Sequence, residues 1–298
     1  MSEDGPYLRL DVSAFNSPWL KATNTGLGNV LFQIATVYAL CKKLGYTPDF
    51  GHVVEYGEKL RRLFGLDHDV ALFSRLPSGP PAGSVKYEIQ LDGGGGSKDG
   101  YRIDFVKQLT MLRKYNQNVQ INGYLEDDTY FYKYADEVRE LLCAPDEYKD
   151  KLAVLVPEGR TPVSLHVRGN EFIQYTYREF NGPDPTLFKR EFIWRYLNKA
   201  VNYIADEVPG AYFLIFTDDR SAIDPSLIPR LEECGYTFVE GFKDYEDMWL
   251  MSLCAHNITG LSTFSWWGTW LAGNDGRIRT FDFMNVRQRH MKSNFIAL

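Results

Sequence analysis

The sequence predicts an α/β protein whose strands form parallel, doubly wound sheets. Short β-forming segments alternate with longer segments of helical periodicity through the second half of the chain. The segment Tyr212–Thr217 is apolar almost throughout, as expected for a strand that is buried on both faces of a parallel sheet. A strand, a glycine-containing turn, a helix and another strand also follow one another near the start. With 298 residues, the chain is long enough for two domains.

The first elements lie before residue 51. Trp19–Thr23 has the composition of a strand, and the turn after it contains two glycines. Apolar residues then recur at helical spacing from Val30 to Cys41, which predicts a helix from about Asn29 to Leu44 that ends at Gly45. Thr47–Phe50 is the next predicted strand.

A stretch rich in Pro and Gly, Ser74–Gly100, is predicted to be an irregular surface excursion inside the first domain. Val119–Tyr124 then resumes a strand pattern, and Tyr130–Leu142 has helical character. The linker between the domains is expected within Cys143–Gly159. We therefore predict two domains, residues 1–150 and residues 151–298.

The second domain alternates between strands and helices more regularly than the first. Its predicted strands are Val163–Arg168, Tyr212–Thr217, Tyr236–Glu240, His256–Gly260 and Arg277–Phe283. Its predicted helices are Phe188–Asp206, Ile223–Cys234, Tyr245–Cys254 and Trp266–Ala272. Helices between successive strands allow those strands to run parallel in one sheet.

The overall charge argues against nucleic-acid or membrane-surface partners. The chain has 33 basic and 39 acidic side chains and a net charge of −6, whereas such partners are bound through a basic field. An anionic ligand must therefore be held by a few placed groups rather than by the whole surface.

The cysteines and the N-terminus indicate the cellular environment. The four cysteines are far apart and show no metal-binding spacing, so we expect buried free thiols. The N-terminus is acidic where a signal peptide is basic, and no apolar run reaches the roughly 18 residues that cross a bilayer. We therefore expect a cytoplasmic protein without a transmembrane segment. The sequence does not indicate its oligomeric state.

A polar pair is expected at the carboxyl end of the strand Val163–Arg168. Strand alternation places the side chains of His166 and Arg168 on the same face. The carboxyl ends of strands form the edge where open α/β sheets bind ligands. Two interpretations stay open: the pair binds a ligand, or it is satisfied by carboxylates such as those of Glu171 or Asp218.

Two carboxylates, Asp218 and Asp219, follow the apolar strand Tyr212–Thr217. Carboxylates at a sheet edge can bind a metal ion, accept hydrogen bonds from a guanine or a ribose, or cap the next helix. The residues alone leave all three roles open.

A hydroxyl-rich turn precedes the helix predicted at Trp266–Ala272. The start of a helix exposes unpaired backbone N–H groups and the positive end of the helix dipole, which together favour phosphate oxygens. Ser262, Thr263 and Ser265, which surround Phe264, can add hydroxyl donors to this site. The turn therefore indicates a phosphorylated ligand.

Two other classes of function remain as alternatives. The turn Gly26-Leu27-Gly28 is similar to a dinucleotide fingerprint, and Asp49 lies where a ribose ligand would follow, which would indicate a nucleotide-binding oxidoreductase. Leu31 replaces the third glycine and disfavours that function. Clusters of aromatic residues could instead belong to a non-catalytic glycan-binding protein, although the spacing of Trp267 and Trp270 favours core positions.

Taken together and in order, these motifs resemble the α-1,2-fucosyltransferase family. The resemblance spans about Trp19 to Leu271, and its last segment is the most specific. The matching segments are Gly26-Leu27-Gly28-Asn29 with Phe32-Gln33, Gly123-Tyr124-Leu125, His166-Val167-Arg168, Phe216-Thr217-Asp218-Asp219, and Glu246-Asp247-Met248 through Trp266-Trp267-Gly268.

The resemblance implies a GT-B-like enzyme with two Rossmann-type domains and a ligand cleft between them. It implies transfer of L-fucose from GDP-fucose, with inversion, to a hydroxyl of a glycan acceptor such as the 2-OH of galactose. The donor substrate would be bound mainly by the second domain and the acceptor by the first. The family works without a metal ion and without a cofactor.

Roles in donor binding are implied residue by residue. Arg168 would bind the diphosphate as a catalytic group, and His166 and Asp219 would lie near the guanine. The remaining donor-binding residues would be Asp218, Ser262, Thr263, Phe264 and Ser265, with the three hydroxyls around the β-phosphate.

The acceptor side is implied to contain Gly26, Gly28 and Asn29, with Asn29 as the second catalytic candidate. Glu171 is a further acceptor-side candidate. The family usually continues His-x-Arg-Arg-x-Asp, whereas Gly169 follows Arg168 in this chain. The second arginine is absent, which bears on donor affinity or on the nucleotide sugar and linkage.

Overall fold

The computed structural model of the chain describes residues 5–11, 27–53, 76–77, 87–90, 99–123, 125–169, 193–260, 262–273, 277–281 and 296–298. The chain forms two compact units, residues 1–142 with 290–292, and residues 143–289 with 293–298. Among the described residues, one four-stranded and one six-stranded parallel sheet are present. The predicted α/β class with parallel sheets is therefore confirmed, whereas the assignment of acceptor and donor to residues 1–150 and 151–298 stays a prediction.

The first unit is built on the four-stranded sheet. Its strands are β1 (Tyr7–Leu10), β2 (Thr47–Asp49), β3 (Tyr87–Gln90) and β4 (Val119–Asn122). Its helices are α1 (Leu27–Leu44), α2 (Asp99–Lys114) and α3 (Ala135–Leu142). The strand order is β2-β1-β4-β3, and each neighbouring pair is parallel.

Helix α1 confirms the helix predicted in this unit, although it begins at Leu27. Its apolar residues recur at helical spacing, and Phe32 and Ile34 are fully buried. Lys42 and Lys43 lie in the last turn, where positive charge interacts favourably with the helix dipole. The helix ends at Gly45, whose φ of 76° suits a residue without a β-carbon.

Strand β1 is not among the predicted strands. It contains Arg9, and a charged residue in so short a segment obscures the apolar pattern. In the structure Arg9 is buried because its Nε donates to Asp49 Oδ2 at 2.6 Å. The partner comes from β2, far along the chain, so the compensation is invisible in the local sequence. The strand predicted at Trp19–Thr23 lies outside the described residues.

The prediction that Ser74–Gly100 is irregular was wrong at its end. Tyr87–Gln90 forms β3, an edge strand, and α2 begins at Asp99. The strand is short and pairs on one side only; the Tyr87 side chain is 45% exposed whereas Ile89 is buried. An edge strand needs few apolar residues, so the glycines and prolines dominated the sequence pattern.

The helical character predicted for Tyr130–Leu142 resolves into different elements. Two 3₁₀ turns, Asp128–Tyr130 and Tyr132–Tyr134, precede α3. Asp127 caps the first turn, because its carboxylate accepts from the Thr129 N–H at 2.9 Å.

The second unit is built on the six-stranded sheet. Its strands are β5 (Thr161–Val167), β6 (Ala211–Thr217), β7 (Tyr236–Phe238), β8 (His256–Ile258), β9 (Arg279–Phe281) and β10 (Ile296–Ala297). Its helices are α4 (Glu147–Leu155), α5 (Arg195–Glu207), α6 (Ile228–Cys234), α7 (Asp244–Leu253) and α8 (Thr263–Leu271). Each of the five predicted strands and four predicted helices coincides with one of these elements, but α6 begins at Ile228 rather than at Ile223, and residues 188–192 of the helix predicted from Phe188 lie outside the described residues.

Helix α4 lies within the segment that was expected to be a linker. Tyr148 attaches it to α7, because its ring packs edge-on against Trp249 at a centroid distance of 5.0 Å and its hydroxyl donates to Glu246 at 2.6 Å. Lys151 also pairs with Glu246. These contacts explain why the segment forms a helix that belongs to the second unit.

The strand order of the second sheet is β10-β9-β8-β5-β6-β7, with parallel neighbours throughout. Numbered from β5, this is the 6-5-4-1-2-3 order of Rossmann dinucleotide-binding sheets. The chain proceeds from β5 to β6 and β7 on one side, then crosses to β8 on the other. The neighbouring strands β5 and β8 therefore mark the topological switch point, where open α/β sheets bind ligands at their carboxyl edge.

The two faces of β5 are both covered. Val163, Leu165 and Val167 belong to the apolar core that includes buried residues of α5 and α6. On the opposite face, Ser164 is buried and its Oγ accepts from Asn257 Nδ2 at 2.8 Å. Ser164 and His166, which lie on this face, are therefore shielded from water.

Helices α7 and α8 pack closely beside each other. A β-carbon at Gly268 would lie 2.9 Å from Met251 Cβ, so the contact requires glycine. Trp267 and Trp270 are buried, which confirms their predicted core positions. The tryptophans of α8 thus hold the helix in place rather than present a sugar-stacking surface.

Candidate functional site

The candidate site lies at the carboxyl ends of β5 and β8. These ends are close together, because a β-carbon at Gly260 would come within 2.7 Å of the His166 carbonyl oxygen and 3.2 Å of its Nδ1. Helix α8 begins directly after β8. The strand order thus brings the predicted polar pair and the predicted hydroxyl-rich turn to the same place on one sheet.

His166 is a buried, neutral histidine. Its side chain packs against Phe264, with ring centroids 5.6 Å apart. Its pKa is lowered to about 4, mainly by burial and also by nearby Arg168, whereas Asp218 opposes the change. Within the described part of the chain its Nδ1 has no hydrogen-bond partner. A buried polar atom of this kind is expected to meet a ligand or a water molecule.

Arg168 and Asp218 form an ion pair, with Arg168 Nη1 3.1 Å from Asp218 Oδ2. The side chains are 44% and 51% exposed. The other carboxylate oxygen of Asp218 accepts from the Gly169 N–H at 2.7 Å. Pairing with Asp218 was one of the two interpretations of the sequence; the other partner considered, Glu171, lies outside the described residues.

Asp219 has a capping contact. Its Oδ1 accepts from the Ser221 N–H at 2.8 Å and so caps the 3₁₀ turn Arg220–Ala222. Its own N–H donates to Thr217 Oγ1 at 3.1 Å. Capping is one of the three roles that the sequence left open, and the predicted contact with guanine remains a prediction.

The hydroxyl-rich turn is an N-cap. Ser262 caps α8, because its Oγ accepts from the Phe264 N–H at 3.2 Å. Ser265 is buried, and its hydroxyl donates to the carbonyl oxygens of Ser262 and Gly260 at 3.0 and 3.3 Å. The Ser265 hydroxyl therefore stabilises the turn in this structure, and its predicted contact with phosphate, like those of Ser262 and Thr263, stays a prediction.

A further candidate, Asp247, lies in the first turns of α7. The pKa of its carboxyl group is raised to about 8, mainly by burial and also by the acidic neighbours Asp244 and Glu246. Its Oδ1 is buried without a hydrogen-bond partner among the described residues. Asp247 belongs to a family-like segment of the sequence, but no role was predicted for it; its position between charged residues and apolar ones was the available signal.

The packing of α7 on α8 bears on the position of Asp247. Both helices follow strands of one parallel sheet, so they are parallel to each other. Met251 lies against Gly268, and Asp247 and Phe264 each stand one turn earlier on these helices. We therefore expect Asp247 to lie near Phe264, the aromatic side chain that packs against His166.

In the first unit, the motif around Asn29 belongs to the start of α1. Gly28 is buried there and Asn29 is partly exposed. Gln33 Nε2 donates to the Gly123 carbonyl oxygen at 2.6 Å, which joins two of the family-like segments. Gly26 lies outside the described residues, as does the acceptor-side candidate Glu171.

Asp49, which would bind the ribose in the dinucleotide-like pattern, makes structural contacts instead. Asp49 is buried, with one oxygen bonded to Arg9 and the other accepting from the Gly51 N–H at 3.0 Å. Leu31, in the place of the third glycine, is fully buried in the core. Both residues have structural roles, which disfavours the oxidoreductase alternative.

A polar cluster that was not predicted lies at the carboxyl edge of the first sheet. Asp11 directly follows β1, and its carboxylate accepts from Gln120 Nε2 at 2.9 Å. The other oxygen lies 3.4 Å from His52 Nδ1. The carboxylate is almost fully buried whereas the imidazole is partly exposed. No sequence motif connects these residues, because they come from three separate strands and loops.

Potential metal ligands and cysteine thiols occur among the described residues. In those ranges no cluster of three or more His, Cys, Asp or Glu side chains is placed to hold a metal ion. Cys41 and Cys254 are buried free thiols, as expected, whereas Cys143 is exposed, because it lies between α3 and α4 rather than in a core. Of the helices described, none is both long and apolar enough to cross a membrane.

Comparison with known families identifies the chain's class. The family model described as Glycosyl transferase family 11 matches residues 100–295. The chain belongs to this family. This family 11 glycosyltransferase is therefore an enzyme that transfers a sugar, and both the resemblance to the α-1,2-fucosyltransferase family and the transferase class are confirmed.

Relatives agree with the family assignment. The Escherichia coli O-antigen biosynthesis glycosyltransferase WbnK is 26% identical over 281 residues, which cover 83% of this chain and 87% of the relative. An Escherichia coli alpha-1,2-colitosyltransferase is 24% identical over 162 residues, 53% of each chain.

Solved structures support the fold. A crystal structure of POFUT1 in complex with GDP superposes with a TM-score of 0.51 and 13% sequence identity, and covers 94% of this chain and 98% of POFUT1. The apo form of POFUT1 gives the same TM-score and coverage with 10% identity. At this level of identity the likeness concerns the fold, and it confirms the GT-B-like class of this family 11 glycosyltransferase.

Proposed function

We propose that this enzyme transfers L-fucose from GDP-fucose to a hydroxyl group of a glycan acceptor, with inversion and without a metal ion or cofactor. The observation that carries the proposal is the grouping of Arg168, a buried neutral imidazole and the start of α8 at the switch point of the second sheet. Such a grouping suits a nucleoside diphosphate, since it offers a guanidinium, a helix start and a buried imidazole.

Arg168 stabilises the leaving group in this proposal. As the bond between the sugar and the diphosphate breaks, negative charge grows on the phosphate oxygens and positive charge on the sugar. A fixed guanidinium that donates two hydrogen bonds lowers the energy of that transition state. The site is partly exposed, so the diphosphate can reach Arg168 while its pairing with Asp218 is weak.

The base of the nucleotide lies between His166 and Asp247 in this proposal. Each has a buried polar atom without a partner among the described residues. Leaving such an atom unsatisfied costs about 1–3 kcal/mol, which a ligand can recover. Guanine offers N–H donors for the Asp247 carboxylate, and acceptors at O6 and N7 for an imidazole N–H.

The acceptor is assigned to the first unit. In the Asp11–His52 pair at the carboxyl edge of its sheet, the carboxylate can orient the His52 imidazole toward a sugar hydroxyl, as a carboxylate does for a general-base histidine. Asn29 at the start of α1 adds an amide for hydrogen bonding. We propose an α-1,2 linkage, with the 2-OH of galactose or a similar hydroxyl as the acceptor group.

The name of one relative makes colitose the second candidate sugar. That relative, from Escherichia coli, is described as an alpha-1,2-colitosyltransferase. Fucose remains the first choice, because the motifs that contain Arg168, Asp218 and Ser262 resemble those of the α-1,2-fucosyltransferase family.

A ligand panel followed by turnover tests the proposal. Thermal shifts with GDP, NAD and free sugars should show stabilisation by GDP alone; stabilisation by NAD would instead indicate the oxidoreductase, and by sugars alone a glycan-binding protein. GDP-fucose should then be hydrolysed slowly without an acceptor and consumed faster with a galactose-containing one. Turnover with nucleotide-activated colitose but not with GDP-fucose would select the second candidate.

A further inference from the structure

Asp218 makes contacts with two consecutive residues of the chain. One carboxylate oxygen accepts from the Gly169 backbone N–H at 2.7 Å, and the other lies 3.1 Å from Arg168 Nη1. The backbone bond fixes the carboxylate relative to the end of β5. The carboxylate in turn fixes the direction in which the Arg168 guanidinium extends.

This arrangement requires glycine at position 169. A β-carbon there would lie 2.7 Å from Asp218 Oδ1, closer than real β-carbons approach another atom, and 3.1 Å from Asp219 Cβ, which is a tight contact. Any side chain at this position would therefore push Asp218 away.

We propose that Asp218, held by the Gly169 N–H, is a positioning residue that helps to orient Arg168 for transition-state stabilisation. The inference rests on the proposed function. A guanidinium held in one orientation stabilises developing charge without reorganising during the reaction. The cost is that Asp218 competes with the diphosphate for Arg168 in the ground state.

Asp218 is expected to raise turnover by orienting Arg168 and to weaken GDP binding by competing for it, so its removal should change the two measurements in opposite ways. Asp218→Asn removes the competing charge, so GDP should bind about twofold to fivefold more tightly, the range expected for an exposed ion pair. It also releases Arg168 from its orientation, so the turnover of GDP-fucose should fall by about tenfold or more. A residue that only stabilises the fold would not separate binding from turnover in this direction.

A second variant displaces the same carboxylate without altering it chemically. Gly169→Ala leaves all charges in place but displaces Asp218, so it should also tighten GDP binding and slow turnover. Asp206→Asn is the matched control, because it removes an exposed carboxylate that pairs with Arg230 in the same unit. That control should change neither GDP binding nor turnover.

The experiment combines calorimetry of GDP binding with steady-state turnover on the purified full chain. In an Arg168→Lys background, the effect of Asp218→Asn on turnover should largely disappear, because both changes act on one group. Weaker GDP binding in Asp218→Asn would overturn the inference and make Asp218 a direct donor ligand. Unchanged binding with unchanged turnover would overturn it as well. If the wild-type chain binds no GDP, the proposed function itself fails and the inference falls with it.

Discussion

The guanidinium of Arg168 and the carboxylate of Asp218 lie 3.1 Å apart at the carboxyl edge of the second sheet. Because both side chains are about half exposed, the pair contributes little to stability and can be opened by an anionic ligand. The pairing thus does not exclude the catalytic role that the sequence indicated for Arg168. It gives that residue a defined resting orientation.

Arg168→Lys should reduce sugar transfer by roughly 10²-fold or more, comparable to the loss of one pre-organised transition-state donor. Lysine keeps the charge but loses the planar fork, so donor binding should weaken much less than turnover. Arg220→Lys, at an exposed pair with Glu240, serves as the control. A lower melting temperature with normal specific activity of the folded fraction would show that Arg168 only holds the sheet edge.

Asp247→Asn should weaken GDP binding by roughly 1.5–3 kcal/mol when measured above about pH 8, where the wild-type carboxyl group is ionised. Asp219→Ala tests the sequence-based assignment of guanine in the same calorimeter. If Asp219→Ala weakens binding while Asp247→Asn does not, guanine is recognised by Asp219 as first predicted.

The raised pKa of Asp247 predicts a proton release on binding. The free carboxyl group has a pKa of about 8, because it is buried and lies near Asp244 and Glu246. Contact with N–H donors favours the ionised form, so at neutral pH GDP binding should release up to about one proton that Asp247→Asn does not release. Calorimetry in buffers of different ionisation enthalpy measures this difference. Equal release by both proteins would exclude Asp247 as the acceptor.

Transfer should not depend on a divalent metal ion. In the described residues no cluster is placed to hold one, and the candidate site has a guanidinium and a helix start to balance phosphate charge. We expect full activity in excess EDTA. Loss of activity that manganese restores would assign a metal to Asp218 and Asp219 instead.

Acid should destabilise the protein partly through His166. Its folded-state pKa of about 4 lies below the usual 6.5, so between these values the unfolded chain binds a proton that the folded chain does not. The free energy of unfolding should therefore fall as the pH falls through this window, by up to roughly 3 kcal/mol. Denaturant unfolding of wild type and His166→Gln from neutral pH to about pH 4 measures it. Equal acid sensitivity of the two proteins would contradict the prediction.

His52→Gln should lower transfer to the acceptor but leave GDP affinity unchanged, because the Asp11–His52 pair belongs to the first unit and the nucleotide is assigned to the second. His256→Gln is a suitable control, since the Nδ1 of that histidine accepts from the Ile278 N–H and has a structural role. A parallel loss of GDP affinity would mean that His52 supports the fold instead.

Local patterns predicted much of the second unit. The apolar run of β6, the alternation in β5 and the hydroxyls before α8 each depend on neighbouring residues, and each was found close to its predicted position. Two strands with few apolar residues were not predicted from the sequence. Strand β1 contains a buried arginine whose partner is on another strand, and β3 is an edge strand between glycines and prolines. In both cases the stabilising contact is not in the local sequence.

The sequence by itself determined the parallel α/β class, the resemblance to a glycosyltransferase family and the polar residues at the ends of the strands, because side-chain periodicity and motif order are properties of the chain. Only the tertiary structure decided that β8 lies beside β5, that His166 is buried and neutral, that Asp218 contacts both Arg168 and Gly169, and that the Asp247 carboxyl group is buried. Strand order and burial depend on packing between segments that are far apart in the chain. The free energy of that packing cannot be read from any single motif.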